Sequence, residues 1–181
     1  MQHHNDDIIA IFNRCFLDSY NTELILGGDE PIYLPADDAN LHHRVIFARG
    51  YFASALHEIA HWCIAGPERR RLEDYGYWYE PDGRTAEVQA QFEKVEVKPQ
   101  ALEWILAASC GFRFQVSCDN LSGDCELDRV GFTNKVRAQV LQYLEQGIPD
   151  RAKQLSEALR EYYQIPPLKP GQFPALTYDN D

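Results

Sequence analysis

The chain has 181 residues, of which 45% are hydrophobic and 25% are charged, and its 17 basic against 28 acidic side chains give a net charge of −11. This length and composition predict one globular domain with a core of its own. The acidic balance argues against free association with nucleic acid, which depends on neutralising phosphates with basic side chains. No apolar run approaches the length of a membrane span, and the first residues lack a secretory signal, so we expect a cytoplasmic protein whose five cysteines are reduced.

The first part of the chain predicts an amphipathic helix, three short apolar strands and a second helix. Asn5 is expected to cap the first helix, because its side chain can accept a backbone N–H of the first turn. Gly66-Pro67 predicts the end of the second helix, since glycine favours the closing conformation and proline cannot continue a helix. The predicted elements are a helix at 5–19, strands at 23–26, 31–35 and 44–48 with a turn at 27–29, and a helix at about 51–65.

An aromatic segment and a third helix follow. Asp74–Gly83 alternates aromatic residues before a turn signal, which indicates an edge strand or hairpin whose aromatic rings line a substrate cleft or simply pack. Thr85 is expected to cap the third helix. Pro99 should make this helix kink or restart before it continues to Gly111. The predicted apolar stripe of the helix consists of Val88, Phe92 and Val95.

Two more helices close the predicted domain. The first runs from about Asp128 to Glu145, and the second begins at Pro149 and carries Tyr162 at the end of its apolar face. Several prolines follow Ile165. We therefore expect a single domain over residues 1–165 and a Pro-rich, extended or disordered tail over residues 166–181.

The sequence His57-Glu58-Ile59-Ala60-His61 spells H-E-x-x-H. Four residues make one helical turn plus about 40°, so both imidazoles leave the same face and can share one Zn²⁺ or Fe²⁺ ion. Glu58 can act as a general base or can orient a ligand. Two histidines can also be hydrogen-bonded core residues, but inside an apolar helix they are costly unless something compensates them. We therefore predict a metal-binding catalytic site.

A metal held by two histidines requires a third protein ligand from another element. The candidates on the helix after Thr85 are Glu87, Glu93, Glu96 and Glu103. With about 100° per residue, Glu96 lies roughly 70° from the centre of the apolar stripe, whereas Glu87 and Glu93 lie at roughly 110° and 130°. Glu103 falls on the polar side of the restarted helix. We predict Glu96 as the third ligand; the alternative is a boundary residue paired with a neighbouring lysine.

Two histidines and one glutamate fit more than one chemistry. Octahedral Fe²⁺ in this setting is the metal site of non-haem oxygenases, known as the 2-His-1-carboxylate site. Tetrahedral Zn²⁺ with an activated water is a hydrolase site, for a peptidase or a nuclease with Glu58 as general base. The spacing does not separate the two, and the frequency of H-E-x-x-H favours a zinc peptidase. A structural metal in a binding module is the third alternative.

Longer stretches resemble the bacterial elongation factor P hydroxylase family over nearly the whole chain, and they are far more specific than the pentapeptide. The stretches are Asp29–Asp37 (DEPIYLPAD), Ala53–Gly66 (ASALHEIAHWCIAG), Asp74–Arg84 (DYGYWYEPDGR), Gln91–Trp104 (QFEKVEVKPQALEW) and Val116–Asp124 (VSCDNLSGD).

This resemblance implies hydroxylation of the lysine side chain of elongation factor P that carries a β-lysyl group. It also implies a 2-His-1-carboxylate metal site, whose ligands here would be His57, His61 and Glu96. Our leading hypothesis is that this site holds Fe²⁺ and uses O₂ as oxidant, although Zn²⁺ can occupy such sites in purified protein. Glu58 would then support the ligands or carry a proton. The implied fold is of the α/β (α+β) class, a compact single domain with a small mixed sheet flanked by helices, similar to zincin-like metal hydrolases. From the acidic charge and the lack of a long apolar run, we expect neither a nucleic acid nor a membrane as partner.

Overall fold

The structure is a computed structural model that describes residues 2–74, 84–117 and 128–177. Within these residues the chain forms five α-helices and one three-stranded sheet, which confirms the predicted α/β (α+β) class. The helices are α1 (Asn5–Tyr20), α2 (Phe52–Ile64), α3 (Ala86–Cys110), α4 (Arg129–Gln146) and α5 (Asp150–Tyr163). The strands are β1 (Thr22–Leu26), β2 (Ile32–Leu34) and β3 (His43–Phe47). No described helix combines the length and the apolar character needed to cross a bilayer.

The sheet has the order β1-β3-β2, with β3 parallel to β1 and antiparallel to β2. The predicted strands form near their predicted positions, but β1 and β2 are not paired across their turn because β3 lies between them. Val45 of β3 is buried and pairs with Leu24 on one side and Tyr33 on the other. A turn at Arg49 and Gly50, both with positive φ, leads from β3 directly into α2, which packs between β3 and α3.

One predicted helix cap is wrong, because the side chain of Asn5 takes another partner. Asn5 is the first residue of α1 and not its cap, and its side-chain amide donates to the carbonyl of Gly50 (2.8 Å), which ties the start of α1 to the turn before α2. Helix α2 ends directly before Gly66-Pro67, as predicted, although Gly66 does not adopt the positive φ of a closing glycine. Ala65 is the C-cap residue, and its carbonyl accepts a hydrogen bond from the buried Arg151 of α5 (2.6 Å). The guanidinium supplies a donor for a carbonyl at the helix end.

Helix α3 has 25 residues and carries a buried polar face. Thr85 caps it as predicted, and Gly111 ends it in the left-handed conformation. The helix runs unbroken through Pro99, so it does not restart there. The predicted apolar stripe is wrong in part, because Val95 is 38% exposed. The buried face of the helix around Phe92 contains the polar residues Gln89, Glu96, Gln100 and Glu103.

Helices α4 and α5 both pack against α3 and complete the core. Asp128 caps α4 by accepting the N–H of Gly131. In α5, Tyr163 is buried instead of the predicted Tyr162. The chain beyond α5 contains a short 3-10 turn, after which Phe173 is fully buried against Trp104. The described part of the predicted tail therefore contacts the domain; the division into domain and tail at residue 165 stays a prediction.

Part of the predicted aromatic hairpin lies outside the described residues. Asp74, where the predicted segment begins, forms an isolated antiparallel bridge with Tyr33 of β2, and the remainder of Asp74–Gly83 is outside the described residues. Cys118 and Cys125 also lie outside them. The three cysteines within them are free thiols, as predicted: Cys15, Cys63 and Cys110.

Candidate metal centre

Helix α2 presents its two H-E-x-x-H histidines on the face that packs against α3. His57 and His61 lie one turn apart, and their Nε2 atoms approach to 3.2 Å with the rings inclined at 68°. Both imidazoles are partly exposed, with 23% of the His57 side chain and 21% of the His61 side chain accessible. The geometry matches the predicted aim of the two histidines at a single point.

Glu96 of α3 completes the group of three donors. Its side chain is 1% exposed, and its Oε1 atom lies 3.3 Å from the Nε2 atom of His61. Its Oε2 atom lies 3.7 Å from the Nε2 atom of His57. One donor atom from each residue lies within 4.8 Å of the others. The structure thus brings together the three residues predicted as ligands; their binding of a metal stays a prediction.

The donor set fits a small divalent ion. A metal–nitrogen distance of about 2.1 Å separates two nitrogen ligands by ~3.0 Å at a right angle and by ~3.4 Å at the tetrahedral angle. The observed distance of 3.2 Å between the Nε2 atoms of His57 and His61 lies between these values. Imidazole nitrogen with one carboxylate suits Fe²⁺ as well as Zn²⁺, so the donors fit a metal without selecting between the two.

Hydrogen bonds from α3 hold the donors in place. Gln100, one turn after Glu96, donates from its Nε2 atom to the Oε2 atom of Glu96 (3.2 Å) and to the carbonyl of Ser117 (2.7 Å). The side-chain oxygen of Gln100 accepts the backbone N–H of Ser117 (2.9 Å). On the other side of the site, the Nδ1 atom of His57 lies 2.8 Å from the Oε2 atom of Glu103.

Glu103 is the site residue that sequence reasoning missed. The expected restart at Pro99 placed it on a polar surface, whereas the unbroken α3 puts it two turns after Glu96 on the same buried face, with 7% exposure. The seven-residue spacing between Glu96 and Glu103, with Gln100 between them, is the signal that a continuous helix would have revealed.

Burial and charge shift the pKa values of the site residues. Burial alone would lower the pKa of His57, but the hydrogen bond and charge of Glu103, with the charges of Glu96 and Glu58, raise it to about 10. Burial alone would raise the pKa of Glu96, but the hydrogen bond from His61 and the charges of the histidines lower it to about 2. Without a metal, a protonated His57 therefore lies beside an ionised Glu96, and a bound cation has to displace that proton.

Glu58 lies on a different side of α2 and lines a narrow cleft. The cleft is also lined by His61, Tyr33 and Asp74 and has a volume of about 30 Å³, enough for a water molecule. Burial raises the pKa of Glu58, and the charges of Glu96 and Glu103 add to this effect while those of the two histidines oppose it. Glu58 therefore has the environment of a carboxyl group that exchanges a proton closer to neutral pH.

Comparison with known proteins identifies the family. A model of the elongation factor P hydroxylase family, EpmC, matches residues 11–173. A protein of Haemophilus influenzae named elongation factor P lysine hydroxylase is 60% identical over 163 residues, which cover 90% of this chain and 91% of the relative. The resemblance noted in the sequence is thereby confirmed, and the span matched by the family includes His57, His61, Glu96 and Glu103. The chain belongs to the elongation factor P hydroxylase family.

Proposed function

We propose that the chain adds a hydroxyl group to the β-lysylated lysine side chain of elongation factor P, using Fe²⁺ held by His57, His61 and Glu96. The relative that shares 60% identity supports the reaction and the protein substrate through its name. The observation that carries the metal site is the convergence of two Nε2 atoms and one buried carboxylate at the junction of α2 and α3.

Each site residue has a defined part in this proposal. When bound, Fe²⁺ supplies the redox chemistry by which O₂ oxidises a C–H bond. His57 and His61 provide neutral nitrogen donors, and Glu96 provides the anionic donor that Gln100 holds in orientation. Glu58 lies beside the donors on the wall of the cleft and carries a proton to or from the reaction.

The acidic charge of the chain suits a cationic substrate arm. A β-lysyl-lysine side chain is long, flexible and carries ammonium groups, and the chain has a net charge of −11. The cleft next to His61 is mixed in charge, because Glu58 and Asp74 line it together with arginines and Asp74 pairs with Arg69 (2.6 Å). The attraction of an ammonium group therefore rests on the net charge of the whole chain. The same charge is unfavourable for a nucleic acid partner.

Mass spectrometry of the substrate tests the proposal. The protein is prepared without oxygen, loaded with Fe²⁺ and incubated with β-lysylated elongation factor P, O₂ and a chemical reductant. We expect the substrate to gain one oxygen atom with the wild type but not with His57→Ala, whereas a His4→Ala control, which removes an exposed histidine at the start of the chain, should retain the gain.

Other outcomes would contradict the proposal. An unchanged mass with the wild type, or an equal gain with His57→Ala, rejects the hydroxylase or its metal site respectively. The zinc hydrolase alternative, in which Glu58 is the general base, would instead appear as full Zn²⁺ occupancy after oxygen-free purification and as hydrolysis that is indifferent to O₂.

A further inference from the structure

We infer that Glu103 is a positioning residue that fixes the orientation and the tautomer of His57 in the metal site. This inference rests on the proposed function, because it assumes that the Nε2 atom of His57 binds a metal. Glu103 is not among the predicted ligands, and it was expected to lie on the surface.

The imidazole of His57 bridges two carboxylates of the same helix. Its Nε2 atom faces Glu96 (3.7 Å), and its Nδ1 atom faces Glu103 (2.8 Å). Glu96 and Glu103 are seven residues apart on α3, which corresponds to two turns and a rise of about 10.5 Å. The imidazole therefore spans the gap between successive carboxylates on one helical face, and both carboxylates are buried.

The position of Glu103 excludes it as a ligand to the same ion and gives it another role. It contacts the ring nitrogen that points away from His61 and Glu96, so it lies on the far side of the imidazole from the three converging donors. A carboxylate at Nδ1 requires a proton on that nitrogen, and this leaves the lone pair of Nε2 free for a metal. The negative charge of Glu103 also makes the Nε2 atom of His57 a stronger electron-pair donor to a metal.

The close contact also restricts rotation of the ring. Glu103 is only 7% exposed, which limits how far its carboxylate can follow a rotated imidazole. Loss of the carboxylate should therefore weaken metal binding without removing a ligand. Loss of this kind of outer hydrogen bond typically lowers metal affinity by about 10–100-fold.

Titration with Co²⁺ tests the inference by a readout other than activity. Metal-free wild type, Glu103→Gln, Glu103→Ala and the control Glu87→Gln are titrated with Co²⁺, and affinity and the visible spectrum of the bound ion are recorded. Glu87 is exposed in the first turn of the same helix, so its replacement removes an equal charge away from the site. We expect an affinity loss of about 10–100-fold for Glu103→Ala, a smaller loss for Glu103→Gln, whose amide oxygen still accepts a hydrogen bond, and no loss for the control.

The outcomes separate this inference from the proposed function. If the wild type binds no Co²⁺, the metal site itself is rejected. If the wild type binds Co²⁺ and Glu103→Ala keeps the same affinity and the same spectrum, the positioning role of Glu103 is rejected. If Glu103→Ala fails to fold, an unchanged affinity and spectrum in Glu103→Gln reject the contribution of the negative charge of Glu103. Thermal unfolding of the metal-free variants shows whether a variant has lost stability. A loss of stability alone lowers the fraction of folded protein but leaves the Co²⁺ spectrum of the folded protein unchanged.

Discussion

Replacement of Glu96 by glutamine should destabilise the metal-free protein, because the fold favours the ionised form of this buried carboxyl group. A pKa of about 2, against 4.5 for an ordinary glutamate, corresponds to about 3 kcal/mol at neutral pH. For a chain of this size such a loss lowers the melting temperature by about 6–12 °C. The contribution is present above pH 4.5 and is lost as the pH falls towards 2, so the two proteins should become equally stable in acid.

Urea and thermal unfolding in the presence of a chelator measure this difference. Glu93→Gln is the matched control, since Glu93 lies three residues earlier on α3 and pairs with the exposed Lys135 (2.9 Å). Such a pair contributes about 0–1 kcal/mol. If Glu96→Gln and Glu93→Gln unfold within about 0.5 kcal/mol of each other at neutral pH, the reasoning about the buried charge is refuted.

Three further predictions concern the surroundings of the site. Gln100→Leu removes the amide that contacts Glu96 and Ser117. It should lower the free energy of unfolding in urea by about 1–3 kcal/mol and weaken Co²⁺ binding. An unchanged free energy of unfolding together with an unchanged Co²⁺ affinity would contradict the role of Gln100. Phe173→Ala should lower the free energy of unfolding by about 3–5 kcal/mol, whereas Leu176→Ala, at a position that is 44% exposed, should lower it less. Equal losses would show that the segment after α5 is not packed. The stability that protonated His57 contributes to the metal-free protein is fully present below pH 6.5 and is lost as the pH rises towards 10. The melting temperature of the metal-free protein should therefore fall over that range. Saturating Co²⁺ should abolish this fall.

Local sequence patterns predicted the parts of the site that depend on one helix. The spacing of His57 and His61 determines that they share a face wherever the helix packs, and the structure places their Nε2 atoms 3.2 Å apart. The angle of Glu96 on α3 points to it as the third ligand, although the predicted apolar stripe includes the exposed Val95. The angle still identifies Glu96 as an inward-facing residue, because Glu96 lies one turn after Phe92 on the helix and Phe92 is buried.

Features that depend on distant parts of the chain could not be read from local patterns. Pro99 is a strong signal for a helix break, but the packing of α3 against α2, α4 and α5 maintains a continuous helix and brings Glu103 to His57. The end of α2 is stabilised by Arg151, which lies 86 positions after the carbonyl that accepts its hydrogen bond. The insertion of β3 between β1 and β2 is likewise a matter of tertiary pairing.

The source of the inserted oxygen tests the central claim most directly. Fe²⁺-loaded protein, β-lysylated elongation factor P and a chemical reductant are incubated under isotopically heavy O₂ in ordinary water, and the mass of the modified peptide is measured. We expect one heavy oxygen atom in the product of the wild type and none with His61→Ala. An oxygen atom derived from water, or equal incorporation by His61→Ala, would contradict an iron-dependent hydroxylase built on His57, His61 and Glu96.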